Sequence, residues 1–285
     1  MYTQEITRKH RSAFIIAIDQ SQSMLGDVLL NDRIISKATA VAEVTGNLIN
    51  ELILRSKRDD GVRDYYDVAL LGYAGEAVYP LLDPARVFIP ISELAKYKPT
   101  EQCVSVERIL PDGSKSLHTE RVYQWIAPRA EGDTPMYEAM LYIRDIVTEW
   151  CRNPQNAESF PPIIFNITDG EFSDCNDSEI RNITEQIKSI STADGNALLI
   201  NIHLASDPLS RAVIFPSDNE IDPDNHLLRI LADCSSVMPA AFNEMIRSQR
   251  GTLAIPPFRA ISYNASLTEL VTMLNIGSRS ITNLL

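Results

Sequence analysis

At 285 residues the chain sits at the upper edge of one domain and is long enough to bury a large core. Its apolar fraction of 45% is ordinary for a soluble globular protein, and no apolar run approaches the roughly 18 residues of a membrane span. The net charge of −12, with acids and bases interspersed and no Lys/Arg stripe, would repel a phosphate backbone, so neither nucleic acid nor a membrane is an expected partner.

The N-terminus, MYTQEITRKHRSAFIIAID, places basic residues before apolar ones, as a signal peptide does. Its apolar run, Phe14 to Ile18, stops at Asp19, short of the roughly 7 to 15 residues such a segment needs. No small-residue cleavage site follows. A first core strand and a cytoplasmic protein are therefore expected. Cys103, Cys151, Cys175 and Cys234 show no CxxC spacing, so reduced thiols are the plain reading. His10, His118, His203 and His226 are scattered, with no HExxH-like pair.

In chain order, AFIIAI reads as a strand buried on both faces. Arg33 to Arg55 carries apolar residues at mixed three and four spacings and predicts a helix. KRDDGVRD is a polar turn, YDVALLGYAG a second strand, and EAVYPLL a third after a tight turn. QCVSVERIL and KSLHTERVYQWI, separated by PDGS, predict a hairpin at about 101–126, inside an insertion at about 84–130. PPIIFNIT is a strand, SEIRNITEQIKSI a helix with a Ser N-cap, and NALLINIHLA another strand. Residues 205–225, rich in Pro, Asp, Asn and Ser, read as a long loop. LLRILADC and AAFNEMIR are helices, TLAIPP or RAISYN a last short strand, and LTELVTMLNIGS a C-terminal helix. Alternating strands and helices predict an α/β fold with a mostly parallel sheet, in one domain over 1–285.

Three loops stand out. In an open parallel sheet, ligands bind beyond the carboxyl ends of the strands, near the point where strand order reverses. Asp19, Ser21 and Ser23 follow the first strand, Asp169 follows PPIIFNIT, and Thr134 stands where EGDTPMYEAM enters a helix. Each has a plain structural reading. Asp19 or Ser21 can cap a helix, Thr134-Pro135 is a good helix start, and Asp169-Gly170 is a common turn pair. Jointly they supply two carboxylates and three hydroxyls with no nitrogen or sulfur donor, which suits Mg²⁺ or Mn²⁺ rather than zinc.

These residues carry a resemblance. DQSQS matches the DxSxS signature of the von Willebrand factor A domain, GDTPM resembles its GxT loop, and the aspartate of ITDG fits its third loop. Together they resemble that family's metal-ion-dependent adhesion site. The resemblance implies a three-layer, Rossmann-like fold with strand order 3-2-1-4-5-6 and EAVYPLL as the antiparallel edge. It implies Mg²⁺, or Mn²⁺ or Ca²⁺ in its place, with Ser21, Ser23 and Thr134 as ligands and Asp19 and Asp169 acting chiefly through water or hydroxyls. ITDGEFSD further resembles the stand-alone bacterial A-domain proteins of tellurium-resistance-type gene clusters, which often carry a proline where Phe172 stands. The hairpin at 101–126 looks like an addition to a minimal A domain.

Glu171 and Asp174 flank Asp169 and are candidates to support the metal's ligands from behind, or else are solvated turn residues. Cys175 is either redox-sensitive or buried and inert. Tyr123 and Tyr137 are candidates to rim a binding face, and Trp125 reads as core packing. The expected function is a non-catalytic, metal-dependent protein-binding module. Its partner would offer an acidic residue to the metal, and the resemblance suggests a kinase- or phosphatase-like protein of the same gene cluster. Two alternatives stand beside it: a metal-dependent phosphatase or hydrolase using Asp19 as nucleophile, and an A-domain scaffold that does not depend on metal. The enzyme reading lacks a second carboxylate two residues after Asp19, where Ser21 stands, and no His or Lys is evidently placed as base or phosphate clamp.

Overall fold

The structure is a computed structural model that describes all residues except 1, 3, 5, 31–32, 110–114, 171, 206–211, 252 and 266–285. The expected C-terminal helix, the PDGS turn, Glu171 and part of the 205–225 loop lie outside the described residues.

Strand β1 (Ser12–Asp19) is buried along its whole length, as a continuous apolar run requires in a strand covered on both faces. After it, β2 (Asp27–Leu30) and β3 (Arg33–Ser36) form a small antiparallel hairpin, and α1 (Lys37–Ser56) follows. The helix expected from Arg33 thus begins four residues later. Ser36 is extended, and its hydroxyl accepts from the Thr39 amide at 3.2 Å, so it is the N-cap that fixes the start. Within the polar turn, β4 (Lys57–Arg58) and β5 (Gly61–Val62) pair around a glycine with φ +117°.

Next come β6 (Tyr66–Ala74), β7 (Ala77–Pro80), β8 (Ile89–Pro90), the one-turn α2 (Ile91–Leu94), and the hairpin strands β9 (Thr100–Ile109) and β10 (Lys115–Gln124). The second half runs α3 (Met136–Arg152), β11 (Ile163–Thr168), α4 (Asp177–Ser189), β12 (Leu198–Leu204), β13 (Val213–Ile214), α5 (His226–Cys234), α6 (Asn243–Arg250) and β14 (Ile261–Ala265). The N-cap of α4 is Asn176 rather than a serine, in a capping box with Glu179. The last strand is RAISYN rather than TLAIPP.

The main sheet runs β13-β14-β12-β11-β1-β6-β7, with β8 on β6. From β7 to β14 this is the expected order 3-2-1-4-5-6. Parallel pairs join β6, β1, β11, β12 and β14, while β7 is antiparallel to β6. The 205–225 segment was expected to be loop throughout. Its described part adds β13 as an antiparallel edge on β14.

Side chains alternate across the sheet. On one face Phe14, Ile16 and Ile18 pack with Val41, Leu48 and Leu52 of α1. On the other, Ala13, Ile15 and Ala17 pack with Met140, Ile143 and Val147 of α3 and with residues of α4 and α5. The fold is therefore α/β with a mostly parallel central sheet between helical layers. The β9–β10 pair forms its own two-stranded sheet over α1. Gly46 permits the approach, since a Cβ there would lie 2.1 Å from the Tyr123 carbonyl oxygen. Among the described residues no helix is long and apolar enough to cross a membrane.

Candidate functional site

The sheet order reverses at β1, which has β6 on one side and β11 on the other. The loops leaving β1 and β11 therefore open on the same edge. Asp19 is the last residue of β1 and fully buried. One carboxylate oxygen accepts from the Ser21 amide at 2.8 Å, which turns the chain sharply out of the strand. The other accepts from the Thr168 hydroxyl at 2.7 Å, at the end of β11. Burial raises the Asp19 pKa above the ordinary carboxylate value, against the pull of these hydrogen bonds and with the help of the Asp169 charge.

A chain of oxygens continues outward. The Ser21 and Ser23 hydroxyls lie 3.0 Å apart, and Ser23 Oγ donates to Asp169 Oδ1 at 2.6 Å. The third loop is tied on by backbone. The Glu131 amide donates to the Gln20 carbonyl at 2.8 Å, and the Gln22 amide to the Gly132 carbonyl at 2.9 Å. Gly132 has φ +71°, and a Cβ on it would lie 2.9 Å from Gly75 Cα, so this position is closed to other residues. Thr134 is buried, its amide donating to Ser173 Oγ at 3.1 Å and its carbonyl accepting from the Ser173 amide at 3.2 Å.

The structure thus gathers Asp19, Ser21, Ser23 and Asp169 into one bonded set, with the Thr134 loop fastened beside it. Among the described residues no three His, Cys, Asp or Glu side chains cluster for a metal. The donors assembled here are two acids and neutral hydroxyls instead. Their chemistry fits a hard cation.

Three residues of this site escape a sequence reading: Lys37 carries no motif, and Thr168 and Ser173 stand inside ITDGEFSD with nothing to mark their roles. Lys37 matters most. Its ammonium donates to Asp169 Oδ2 at 2.7 Å, and the residue is only 2% exposed. Asp174 sits at the start of α3. Its two oxygens accept from the Tyr137 and Glu138 amides at 3.1 and 3.0 Å, capping α3 from another loop. Helix α3 needs this, because its N-cap position is Pro135, which offers no side-chain acceptor. Thr134, one residue earlier, is not the cap. Burial, reinforced by Asp174 and other acids, pushes the Cys175 thiol up to about 12, so it stays protonated and unreactive at neutral pH. Trp125 and Tyr137 pack against the two core layers.

His203, at the end of β12, pairs in register with Thr168 and stacks on Tyr263 at 4.4 Å. Its Nδ1 accepts from the Asn264 amide at 3.3 Å. Burial lowers its pKa to about 4, outweighing the attraction of Asp169. An imidazole held neutral in the fold stabilises it above pH 6.5, and that stability is lost as pH falls from 6.5 toward 4, by on the order of 3 kcal/mol at full extent. Urea unfolding of parent and His203→Gln should therefore shift in favour of the variant as pH falls through this window. A constant difference between pH 7 and 4.5 would contradict the assignment.

Neither a family model nor a curated protein matches the chain. Among solved structures it is similar to a von Willebrand factor type A protein from Catenulispora acidiphila, at 12% identity and TM-score 0.41, over 70% of this chain and 34% of that one. It is also similar to the vWF domain of the type V pili tip protein Mfa5 from Porphyromonas gingivalis, at 14% identity and TM-score 0.32, over 59% and 40%. A third is an uncharacterized membrane spanning protein from Vibrio fischeri, at 13% identity and TM-score 0.28, over 68% and 71%. The resemblance to the A domain rests on DQSQS, GDTPM, ITDG and the observed strand order rather than on these neighbours.

Proposed function

We propose that the chain is a non-catalytic protein-binding module dependent on a divalent cation, Mg²⁺ or in its place Mn²⁺ or Ca²⁺. The observation that carries the reading is the bonded set Ser21–Ser23–Asp169, closed by Asp19, at the edge where β1 and β11 diverge. Ser21, Ser23 and Thr134 would hold the ion, with Asp19 and Asp169 answering its charge through water or hydroxyls. The bound cation supplies an electrophilic position that a partner's carboxylate can occupy, and it locally reverses the potential of a chain of charge −12. Around it this chain's own residues do the positioning. The Ser21 amide and Thr168 orient Asp19, Ser23 orients Asp169, and Ser173 fixes the backbone of Thr134.

Lys37 favours the phosphatase or hydrolase alternative at first sight, because it is a lysine beside a carboxylate of the site. Its burial argues the other way. An ammonium 2% exposed and engaged by Asp169 does not reach a phosphate in solution, and Asp19 is fully buried with both oxygens accepting hydrogen bonds. Neither is disposed as nucleophile or clamp.

Calorimetric titration of metal-stripped protein should give one Mg²⁺ or Mn²⁺ per chain. A cation at about a hundred times its Kd adds about 2.7 kcal/mol, which corresponds to a Tm gain of roughly 5–10 °C. Asp19→Asn and Ser23→Ala should abolish both effects. Binding retained in both variants would place the ion elsewhere. Phosphoester turnover abolished by Asp19→Asn would establish the enzyme alternative instead.

A further inference from the structure

The Lys37–Asp169 pair lies inside the oxygen cluster rather than on its rim. The Nζ–Oδ2 distance is 2.7 Å, and the side chains are 3% and 0% exposed, so solvent and salt screen little of the interaction. Lys37 is the first residue of α1, and its amide donates to the Gly26 carbonyl at 2.8 Å, which pins it to the loop that carries Ser21 and Ser23. Gly26 also borders the lysine side chain. A Cβ there would lie 3.6 Å from Lys37 Cε and 3.7 Å from Nζ.

Asp169 has two oxygens, and both are engaged: Oδ1 by the Ser23 hydroxyl at 2.6 Å and Oδ2 by the ammonium. Charge counting sharpens the point. Among the described residues, the cluster's two carboxylates and one ammonium leave a single negative charge. A divalent cation added beside them would leave a net positive charge next to buried charged side chains, whereas the same cation with the lysine withdrawn leaves none.

Resting on the metal-dependent reading above, we propose that Lys37 is an internal cation occupying this site, and that its pairing with Asp169 and the binding of a divalent ion are mutually exclusive. Filling the site then requires Lys37 to leave Asp169. The ammonium keeps the cluster folded and compensated while no ion is bound, and it weakens the affinity for divalent ions. The site is thereby tuned to fill when a partner's carboxylate contributes to holding the ion.

The test titrates Mn²⁺ into full-length parent, Lys37→Met and Lys37→Gln, each first shown to melt cooperatively. Both variants should bind at least tenfold more tightly than the parent and gain more Tm on Mn²⁺ addition. Equal affinity in parent and variants overturns the proposal but leaves the metal-binding reading standing. Folded variants that bind no Mn²⁺ overturn both. A second measurement needs no variant: the parent is acetylated with and without saturating Mn²⁺, and modification of Lys37 is quantified by mass spectrometry. Displacement predicts a severalfold rise with Mn²⁺, while unchanged protection at demonstrated saturation overturns the exclusion.

Discussion

Asp169→Ala is expected to destabilise the metal-free fold by about 3–5 kcal/mol, because it strips the counter-charge from an ammonium held in a dry site. Lys37 Nζ lies 2.7 Å from Asp169 Oδ2, and Lys37 and Asp169 are 2% and 5% exposed. In the metal-free fold Lys37 is held away from bulk water, so solvent there does not replace the lost partner. Contrast the surface pair Arg86–Glu93, whose side chains are 43% and 37% exposed and whose loss should be nearly silent. Urea unfolding followed by tryptophan fluorescence measures the effect. The double variant Asp169→Ala/Lys37→Met should recover most of the loss, since a buried ion pair replaced on both sides by apolar groups is often neutral. A loss under about 1 kcal/mol, or a double variant no better than the single, would show that the pair is not the anchor described here.

This pair also marks where the sequence stops being readable. β1, β6, β11 and β12 are legible because each is buried on both faces and reads as an unbroken apolar run. The ends of elements are less so. Ile34 and Ile35 extend the apolar periodicity of α1 backward, and only the Ser36 cap shows that the helix begins after them. The one-turn α2 and the two-residue strands β4, β5, β8 and β13 are too short to leave a period. At the site, DQSQS, GDTPM and ITDG are local patterns, and the fold brings their loops together. Lys37 belongs to no local pattern, and Thr168 and Ser173 stand inside ITDGEFSD with nothing to mark their roles. Their roles arise from pairing across strands and loops, which spacing does not encode. A faint signal for Lys37 exists: it precedes Val41, Val44 and Leu48 at helical spacing, all on the buried side of α1. A lysine on an apolar stripe either extends its head to water or pairs with a buried acid, and here it pairs with Asp169.

The other large effect belongs to a polar chain beneath the site. Tyr73, on β6, reaches across β1 and donates its hydroxyl to Asn166 Oδ1 on β11 at 2.8 Å. Ala17, the β1 residue in register with Asn166, is small enough to leave that path open. Asn166 Nδ2 donates onward to Asn201 Oδ1 at 2.9 Å, and Asn201 Nδ2 to Ser235 Oγ, also at 2.9 Å. Ser235 closes the chain on the Leu231 carbonyl of α5 at 2.7 Å. Every member is buried, so the network ties β6, β11, β12 and α5 with no water to replace a missing group. Asn166→Leu keeps the volume but orphans Asn201 Oδ1 and leaves the Tyr73 hydroxyl only its long 3.4 Å contact with the Ile167 carbonyl. At about 1–3 kcal/mol for each unsatisfied buried group, the expected loss is about 2–5 kcal/mol. Tyr73→Phe removes a donor while Asn166 keeps its other bond, and should cost only about 1 kcal/mol. Combining the two should cost clearly less than their sum, because one orphan is shared. Divalent-ion binding should survive in every folded variant of this set, since no member touches Ser21, Ser23 or Asp169. Strict additivity, or an Asn166→Leu loss within about 0.5 kcal/mol of zero, would mean the network does not hold these strands together.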